Sequence, residues 1–343
     1  MKWMIYGAYG YTGELITEYA VAQGHKPVLA GRNAQAVKEL ADAHGLDYVV
    51  VILDEQQALQ NALKEMDLVI HCAGPFEITS APMIAACLAT HTHYLDITGE
   101  ISVFQHAHSR HQDAERAGIV ICPGVGFDVI PTDCVAAQLK AQLPDAIDLV
   151  LGFDSSSRMS RGTARTGMRK LAEGGAVRRG GKVVKVPLAY HTRKIDFGNG
   201  EKCAMTIPWG DVATAYYTTG IPNIEVYIPA SPRLIKRMKR MNWFRWLFRL
   251  KPLRNLLEKN IEQQPAGPDE KEREQAVTYV WGEAKNGKGD SKSLRVKVMN
   301  GYKLTSQGAV DMAMYVLEQR PAPGYYTPAK LCGSDLIDRY KAE

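Results

Sequence analysis

The chain has 343 residues, 45% hydrophobic and 23% charged, with a formal net charge of +5. That length is enough for two domains with separate cores. No run of about 18 apolar residues offers a membrane-spanning helix, and so modest a charge does not point to nucleic acid.

Lys2 to Tyr6 reads as a short buried strand that enters the Gly-rich run GAYGYTG, residues 7–13. A helix is expected over 14–23 and a second strand over 27–30, ending at Gly31-Arg32-Asn33. A strand–glycine turn–helix–strand unit is the setting of a dinucleotide-binding fingerprint. Gly7, Gly10 and Gly13 would give a tight turn, close backbone approach to a pyrophosphate and close helix–strand packing. Tyr9, Tyr11 and Thr12 lie in the same loop, and the Thr12 hydroxyl stands where a helix N-terminus favours phosphate. An NAD site places an acid at the end of the second strand. Here Arg32 stands, with no acid between Glu18 and Glu39. A guanidinium suits a ribose 2′-phosphate, so the expected cofactor is NADP.

Alternation continues through the first third. Helices are expected over 34–44, 56–65, 82–90 and 102–117, and strands over 48–53, 68–73, 94–97 and 119–122. This predicts an α/β fold, a doubly wound parallel sheet covered on both faces. Ligands bind beyond the carboxyl ends of such strands, which selects the loops carrying Ala73-Gly74-Pro75-Phe76, Asp96 to Glu100 with Gly99, and Gly124 to Asp128. The start of the chain enters the first strand directly, leaving no room for a targeting peptide. The six cysteines contain no CxxC pair and read as reduced thiols, which fits a cytoplasmic protein.

Beyond residue 130 the pattern changes to a helix over 131–143 and strands over 147–153, 183–189, 192–197, 202–207, 224–228, 276–281 and 294–299. A helix is expected over 162–173. This predicts a second, α+β domain on a mixed or antiparallel sheet. Helices over 305–319 and 329–340 are expected to pack back on the first domain. The resulting division is 1–130 with 305–343, and 131–304. Residues 231–261 are rich in Lys and Arg and contain Trp243, Phe244, Trp246 and Phe248. A basic amphipathic helix over 233–254 fits either a peripheral membrane contact or packing on its own domain or on a dimer partner. Residues 263–274 read as an exposed linker.

Asp128 and Asp133 follow the sixth strand. Either carboxyl could donate a proton beside the nicotinamide, while Asp133 or Thr132 could instead cap the following helix. Glu100 could cap the helix after it, and Asp96 could bind a ribose or buttress its loop. Arg165, with Arg161 and Arg169, could bind an acidic substrate group or a CoA-type phosphate, or simply form a solvated helix face. The clustered histidines lack the spacing of a metal site, so no metal is expected. Tyr190 and Lys194 mimic a catalytic Tyr-x-x-x-Lys, but strand flanks would hold them about 13 Å apart.

The stretches GAYGYTG (7–13), LAGRN (29–33), CAGPF (72–76), HYLDITGE (93–100) and PGVGFDVIPTD (123–133) together resemble the saccharopine dehydrogenase-like oxidoreductases, including the trans-acting enoyl reductases. Residues 207–223, with Trp209 as a candidate substrate contact, and 324–340 match more weakly. The resemblance implies an N-terminal NADP-binding Rossmann domain and a second domain for substrate binding and dimerisation, hence a homodimer. It also implies hydride transfer to an enoyl, carbonyl or imine group of a small-molecule or acyl-chain substrate, lipid- or polyketide-derived. The alternative is a non-catalytic NADP sensor or scaffold.

Overall fold

The computed structural model describes residues 1–249, 257 and 259–342. The chain divides into two compact units, Met1–Ile130 with Tyr302–Leu336, and Pro131–Gly301 with Ile337–Glu343.

The first unit holds a seven-stranded parallel sheet. Its strands, numbered in chain order, are β1 (Trp3–Tyr6), β2 (Val28–Gly31), β3 (Tyr48–Val50), β4 (Leu68–His71), β5 (His93–Asp96), β6 (Val120–Cys122) and β15 (Gly324–Tyr325). The order across the sheet is β15-β6-β5-β4-β1-β2-β3. β1 and β4 are apolar, buried throughout and paired from Trp3↔Leu68 to Tyr6↔His71, as expected of strands covered on both faces. β3 alternates exposed and half-buried residues because it lies at the edge. The chain runs β1-β2-β3 to one side and β4-β5-β6 to the other, so the order reverses between β1 and β4. In open α/β sheets that reversal opens the binding crevice.

The helices of this unit are α1 (Tyr11–Ala22), α2 (Ala34–His44), α3 (Gln56–Leu63), α4 (Phe76–Thr90), α5 (Ile101–Ser109) and α6 (His111–Ala117), joined by a 19-residue helix from Gly301 to Gln319. Three differ from the sequence expectation. α1 begins at Tyr11 rather than Glu14, because Glu14 N–H already bonds Gly10 O at 2.8 Å. α4 begins at Phe76, a full turn and more before Pro82, which sits inside the helix. The expected helix over 102–117 is two, broken at Arg110, where the Ser109 hydroxyl bonds back to His106 O at 2.6 Å. Near the C-terminus, Gly333 at φ +85° ends the short helix Pro328–Cys332, and a 3₁₀ turn, Ser334–Tyr340, replaces the rest of the expected helix.

The second unit is built on a mixed sheet: β7 (Ala146–Ser155), β8 (Gly175–Arg179), β9 (Lys182–Val186), β10 (Thr192–Asp196), β11 (Glu201–Ile207), β12 (Asn223–Pro229), β13 (Val277–Asn286) and β14 (Ser291–Met299). Only β7 and β12 run parallel; the other pairings are antiparallel. Ile195, Phe197, Ala204, Tyr227 and Trp281 form one of its cores. Helix α7 (Ile130–Gln142) packs at Gly282, where an added Cβ would meet Val135 at 2.7 Å and Leu139 at 2.8 Å. Further helices of this unit are α8 (Arg161–Glu173), α9 (Asp211–Thr219), α10 (Pro232–Met241) and α11 (Glu270–Gln275). α11 occupies the stretch expected to be a linker, and its Glu272 binds Arg158 through Nε and Nη2, both at 2.8 Å. The basic segment is not one helix: α10 is followed by a 3₁₀ turn, Arg245–Arg249, and the rest of the expected helix, 250–254, lies outside the described residues. The chain end returns here, with Ala342 N–H on Lys297 O.

Candidate cofactor and proton-donor site

The glycine loop leaves β1 at the order reversal. Gly7 has φ +82°, and a Cβ there would lie 2.8 Å from Ala73 N, so both the conformation and the neighbouring β4 loop require glycine. A Cβ on Gly13 would stand 2.4 Å from Gly7 O. The loop therefore folds tightly onto the first turn of α1. Gly10 is the N-cap of α1 and no side chain caps it, so the first N–H groups of that helix point outward with their partial positive charge. These features make a cradle for a phosphate diester. Thr12 is half-buried in the same turn.

The other loop residues take different places. The Tyr9 ring covers Gly31, where an added Cβ would touch it at 2.5 Å. Tyr11 turns its ring edge-on to Tyr302, with centroids 5.2 Å apart. Asn33 caps α2, accepting from Ala36 N–H at 3.2 Å. That cap accounts for Asn33 Oδ1 without a cofactor. Arg32 stands exposed just beyond β2 and makes no ion pair among the described residues. A free guanidinium beside a glycine loop fits a 2′-phosphate.

The β4 loop is organised by two acceptors and one hydroxyl. Thr79 Oγ1 donates to Ala73 O at 2.6 Å and stands 3.0 Å from His71 Nε2. His71 is fully buried, and desolvation lowers its pKa to about 3, so it stays neutral. The Gly74-Pro75 bond is cis, and Phe76 packs edge-on to His71 at 5.4 Å. Glu100 does not cap the helix that follows it. Its carboxylate reaches across to the start of α4 and accepts from Phe76 N–H at 3.3 Å and Glu77 N–H at 2.9 Å. This charge-assisted cap sits at the positive end of α4 and starts it early, ahead of Pro82.

Asp96 is a buttress. It is fully buried and accepts from Thr98 N–H and Gly124 N–H, both at 2.9 Å, and from Tyr94 OH at 2.6 Å. It thereby ties the β5 loop to the β6 loop. Burial raises its pKa to about 6, against the opposing pull of those three donors. On the other side of the β5 loop lies Asp128. Its Oδ2 would be 2.7 Å from a Cβ on Gly99, so glycine at 99 makes room for this carboxyl. Burial, and secondarily the charge of Glu100, push Asp128 up to about 7. A carboxyl that exchanges its proton near neutrality, at the carboxyl end of a doubly wound sheet, is suited to acid catalysis. The loop under it is braced by Thr305, whose hydroxyl accepts from Phe127 N–H at 3.0 Å.

Three other expected site residues, Asp133, Arg165 and Trp209, belong to the second unit. Asp133 is fully buried within α7 in the second unit, and its carboxylate binds the Thr218 hydroxyl of α9, parallel to Thr132 Oγ1 on Asp211 at 2.7 Å. It ties two helices. Arg165 is half-exposed and pairs with Glu262 at 2.8 Å, and the side chain of Arg169 lies outside the described residues. Trp209 packs on Phe153, with ring centroids 5.0 Å apart. His93 Nδ1 accepts from Val120 N–H and His111 Nδ1 from Tyr325 N–H, both at 2.9 Å, so these histidines secure β6 and β15. Sequence reasoning missed the Glu100 cap and the Thr79 brace. The one available signal for the first was an acid ending the β5 loop opposite a helix whose start, GPFE, offers no capping side chain.

Comparison with known proteins agrees with this geometry. Residues 3–122 match the family model of the saccharopine dehydrogenase NADP-binding domain. That stretch of the chain is similar to that domain. The matched span contains the glycine cradle, Arg32, the β4 loop and the Asp96–Glu100 loop, and NADP is the cofactor these residues fit. Among curated relatives, a saccharopine dehydrogenase-like oxidoreductase of Mus musculus is 24% identical over 170 residues, covering 44% of this chain and 40% of the relative. A trans-acting enoyl reductase of Mycobacterium tuberculosis is 29% identical over 179 residues, covering 48% of this chain and 43% of the relative. The match thus spans less than half the length of each. In fold, a saccharopine dehydrogenase (L-Glu forming) of Saccharomyces cerevisiae aligns over 99% of this chain and 98% of its own, with TM-score 0.65 and 12% identity. A homospermidine synthase of Legionella pneumophila aligns over 100% and 90%, with TM-score 0.65 and 11% identity.

Proposed function

We propose that the protein is an NADPH-dependent reductase that delivers hydride to an electron-poor enoyl, carbonyl or imine carbon, with Asp128 as the proton donor. NADPH, when bound, supplies the hydride. The glycine cradle and the uncapped start of α1 hold the pyrophosphate, and Arg32 holds the 2′-phosphate. Asp96 and Glu100 fix the loops around the reacting end. Asp128, protonated in a substantial fraction of molecules at neutral pH, passes that proton to the atom that gains negative charge as hydride arrives. The observation that carries the reading is the carboxyl of Asp128 against Gly99, at the end of the sheet where the cofactor site opens. The names of the curated relatives support an enoyl or related acyl-chain substrate, and a cytoplasmic homodimer remains part of the proposal. The test is a screen of enoyl thioesters, ketones and imines for substrate-dependent NADPH oxidation, repeated with Asp128→Asn. Turnover lost with NADPH binding intact supports the assignment; unchanged turnover contradicts it.

A further inference from the structure

α10 is held rigidly and yet leaves its most apolar neighbours in water. Ser231 caps its start, accepting from Leu234 N–H at 3.2 Å. Ile235 and Met238, one turn apart, pack on Ala189, Met205, Ile228 and Ala230. At its end, Asn242 bonds both backbone groups of Leu188, accepting from N–H at 2.8 Å and donating to C=O at 3.1 Å. The following 3₁₀ turn is seated by Arg245, whose guanidinium fills the space beside Gly174. Beside these anchors Trp243 is 82% exposed, Phe244 60% and Trp246 57%. Scattered exposed apolar residues are ordinary, but three large aromatics within four positions mark a contact surface.

The same surface is cationic. Arg233, Lys236, Arg237 and Arg240 surround one depression together with Met241 and Phe244. None of those four cations, nor Lys239, has an ion-pair partner among the described residues. The sequence has no acid from Val226 to Leu257, so no nearby acid in the sequence neutralises the patch. A like-charged face repels its own copy across a two-fold axis, which disfavours a symmetric dimer here. Aromatic side chains beside unpaired Lys and Arg match the boundary of an anionic bilayer, where rings settle at headgroup level and cations meet the lipid phosphates.

We infer that this surface docks the protein on anionic lipid membranes. The inference is independent of the hydride-transfer reading, since it uses none of the residues of that site. Co-sedimentation with phosphatidylcholine vesicles and with equimolar phosphatidylcholine–phosphatidylglycerol vesicles tests it. Binding should be confined to the anionic vesicles and should fall steeply at about 1 M salt, where screening acts within about 3 Å. Tryptophan emission should shift to the blue on binding, because Trp3 and Trp281 are already buried and the exposed pair reports the change. Lys236→Glu with Arg240→Glu should weaken binding by about 25-fold or more, at about fivefold per lost cation. Trp243→Ser with Trp246→Ser should abolish the blue shift while NADPH binding and thermal stability stay at the parent values. No binding to anionic vesicles, equal binding to neutral ones, preferential capture of RNA in place of vesicles, or a lipid-free dimer that already buries the tryptophans would each overturn the inference.

Discussion

Gly99 and Asp128 form a matched pair: the glycine leaves open the space in which the Asp128 carboxyl lies, 2.7 Å from where a Cβ would stand. The φ of Gly99 lies outside the left-handed region, so the requirement for glycine there is spatial, not conformational. Gly99→Ala should displace Asp128 without altering the glycine cradle. A shift of about 1 Å at a reacting group costs about 10²-fold in rate, so kcat should fall by that order while the NADPH dissociation constant holds. An alanine variant with parental kcat would remove Asp128 from the reaction.

Glu100 sets both the start of α4 and part of the field at Asp128. Glu100→Gln removes the charge that raises Asp128 and should move the falling limb of the pH–rate profile to lower pH. It should also weaken the cap on Phe76 and Glu77, costing about 0.5–2 kcal/mol of stability. The pH profile of kcat separates the two effects, since a purely structural role for Glu100 would leave the limb in place.

Cofactor choice rests on Arg32. Arg32→Asp replaces a charge-assisted phosphate contact with a repulsion. NADPH affinity should drop by about 1.5–3 kcal/mol, roughly ten- to hundredfold, with NADH little changed. Titration of both cofactors against parent and variant is the check. Equal affinity of the parent for NADH and NADPH would show that Arg32 does not select the phosphate.

Stability should depend on pH through the same loops. Asp96 and Asp128 sit at about 6 and about 7 in the folded protein, above the ordinary 3.8 of the carboxyl. A raised value means the fold holds the proton more tightly than the unfolded chain does, so their contribution is fully present below about pH 4 and is lost as pH rises toward 7. Asp128→Asn should therefore gain on the parent in melting temperature as pH goes from 4 to 8. A difference that stays constant over that range contradicts the raised carboxyl.

The first half of the site was legible because its logic is local. A strand that enters GAYGYTG, and a second strand that ends at Arg32, state the turn, the helix start and the charge within consecutive residues. What escaped depends on long-range contacts. Glu100 finds its partners 23 and 24 positions back in the chain, and Asp133 meets Thr218 85 positions on. Nothing in the neighbourhood of either residue announces these contacts. β8, with two arginines in five residues, and β15, two residues long, carry no periodic signal. Pro82 misled for a physical reason: proline favours the first turn of a helix, but the Glu100 cap begins α4 before it. The basic aromatic run was legible as amphipathic, while its division into α10 and a 3₁₀ turn is set by Asn242 binding Leu188, a contact 54 positions away.

The most direct test is a single-turnover measurement with 4,4-dideuterated NADPH and a turned-over substrate from the enoyl, carbonyl and imine panel, run with the parent and with Asp128→Asn. The parent should place one deuterium at the reduced carbon, and the variant should be slower by at least about 10²-fold, the range a positioned acid contributes, with unchanged NADPH affinity. Deuterium absent from the product, or an Asp128→Asn rate equal to that of the parent, would contradict it.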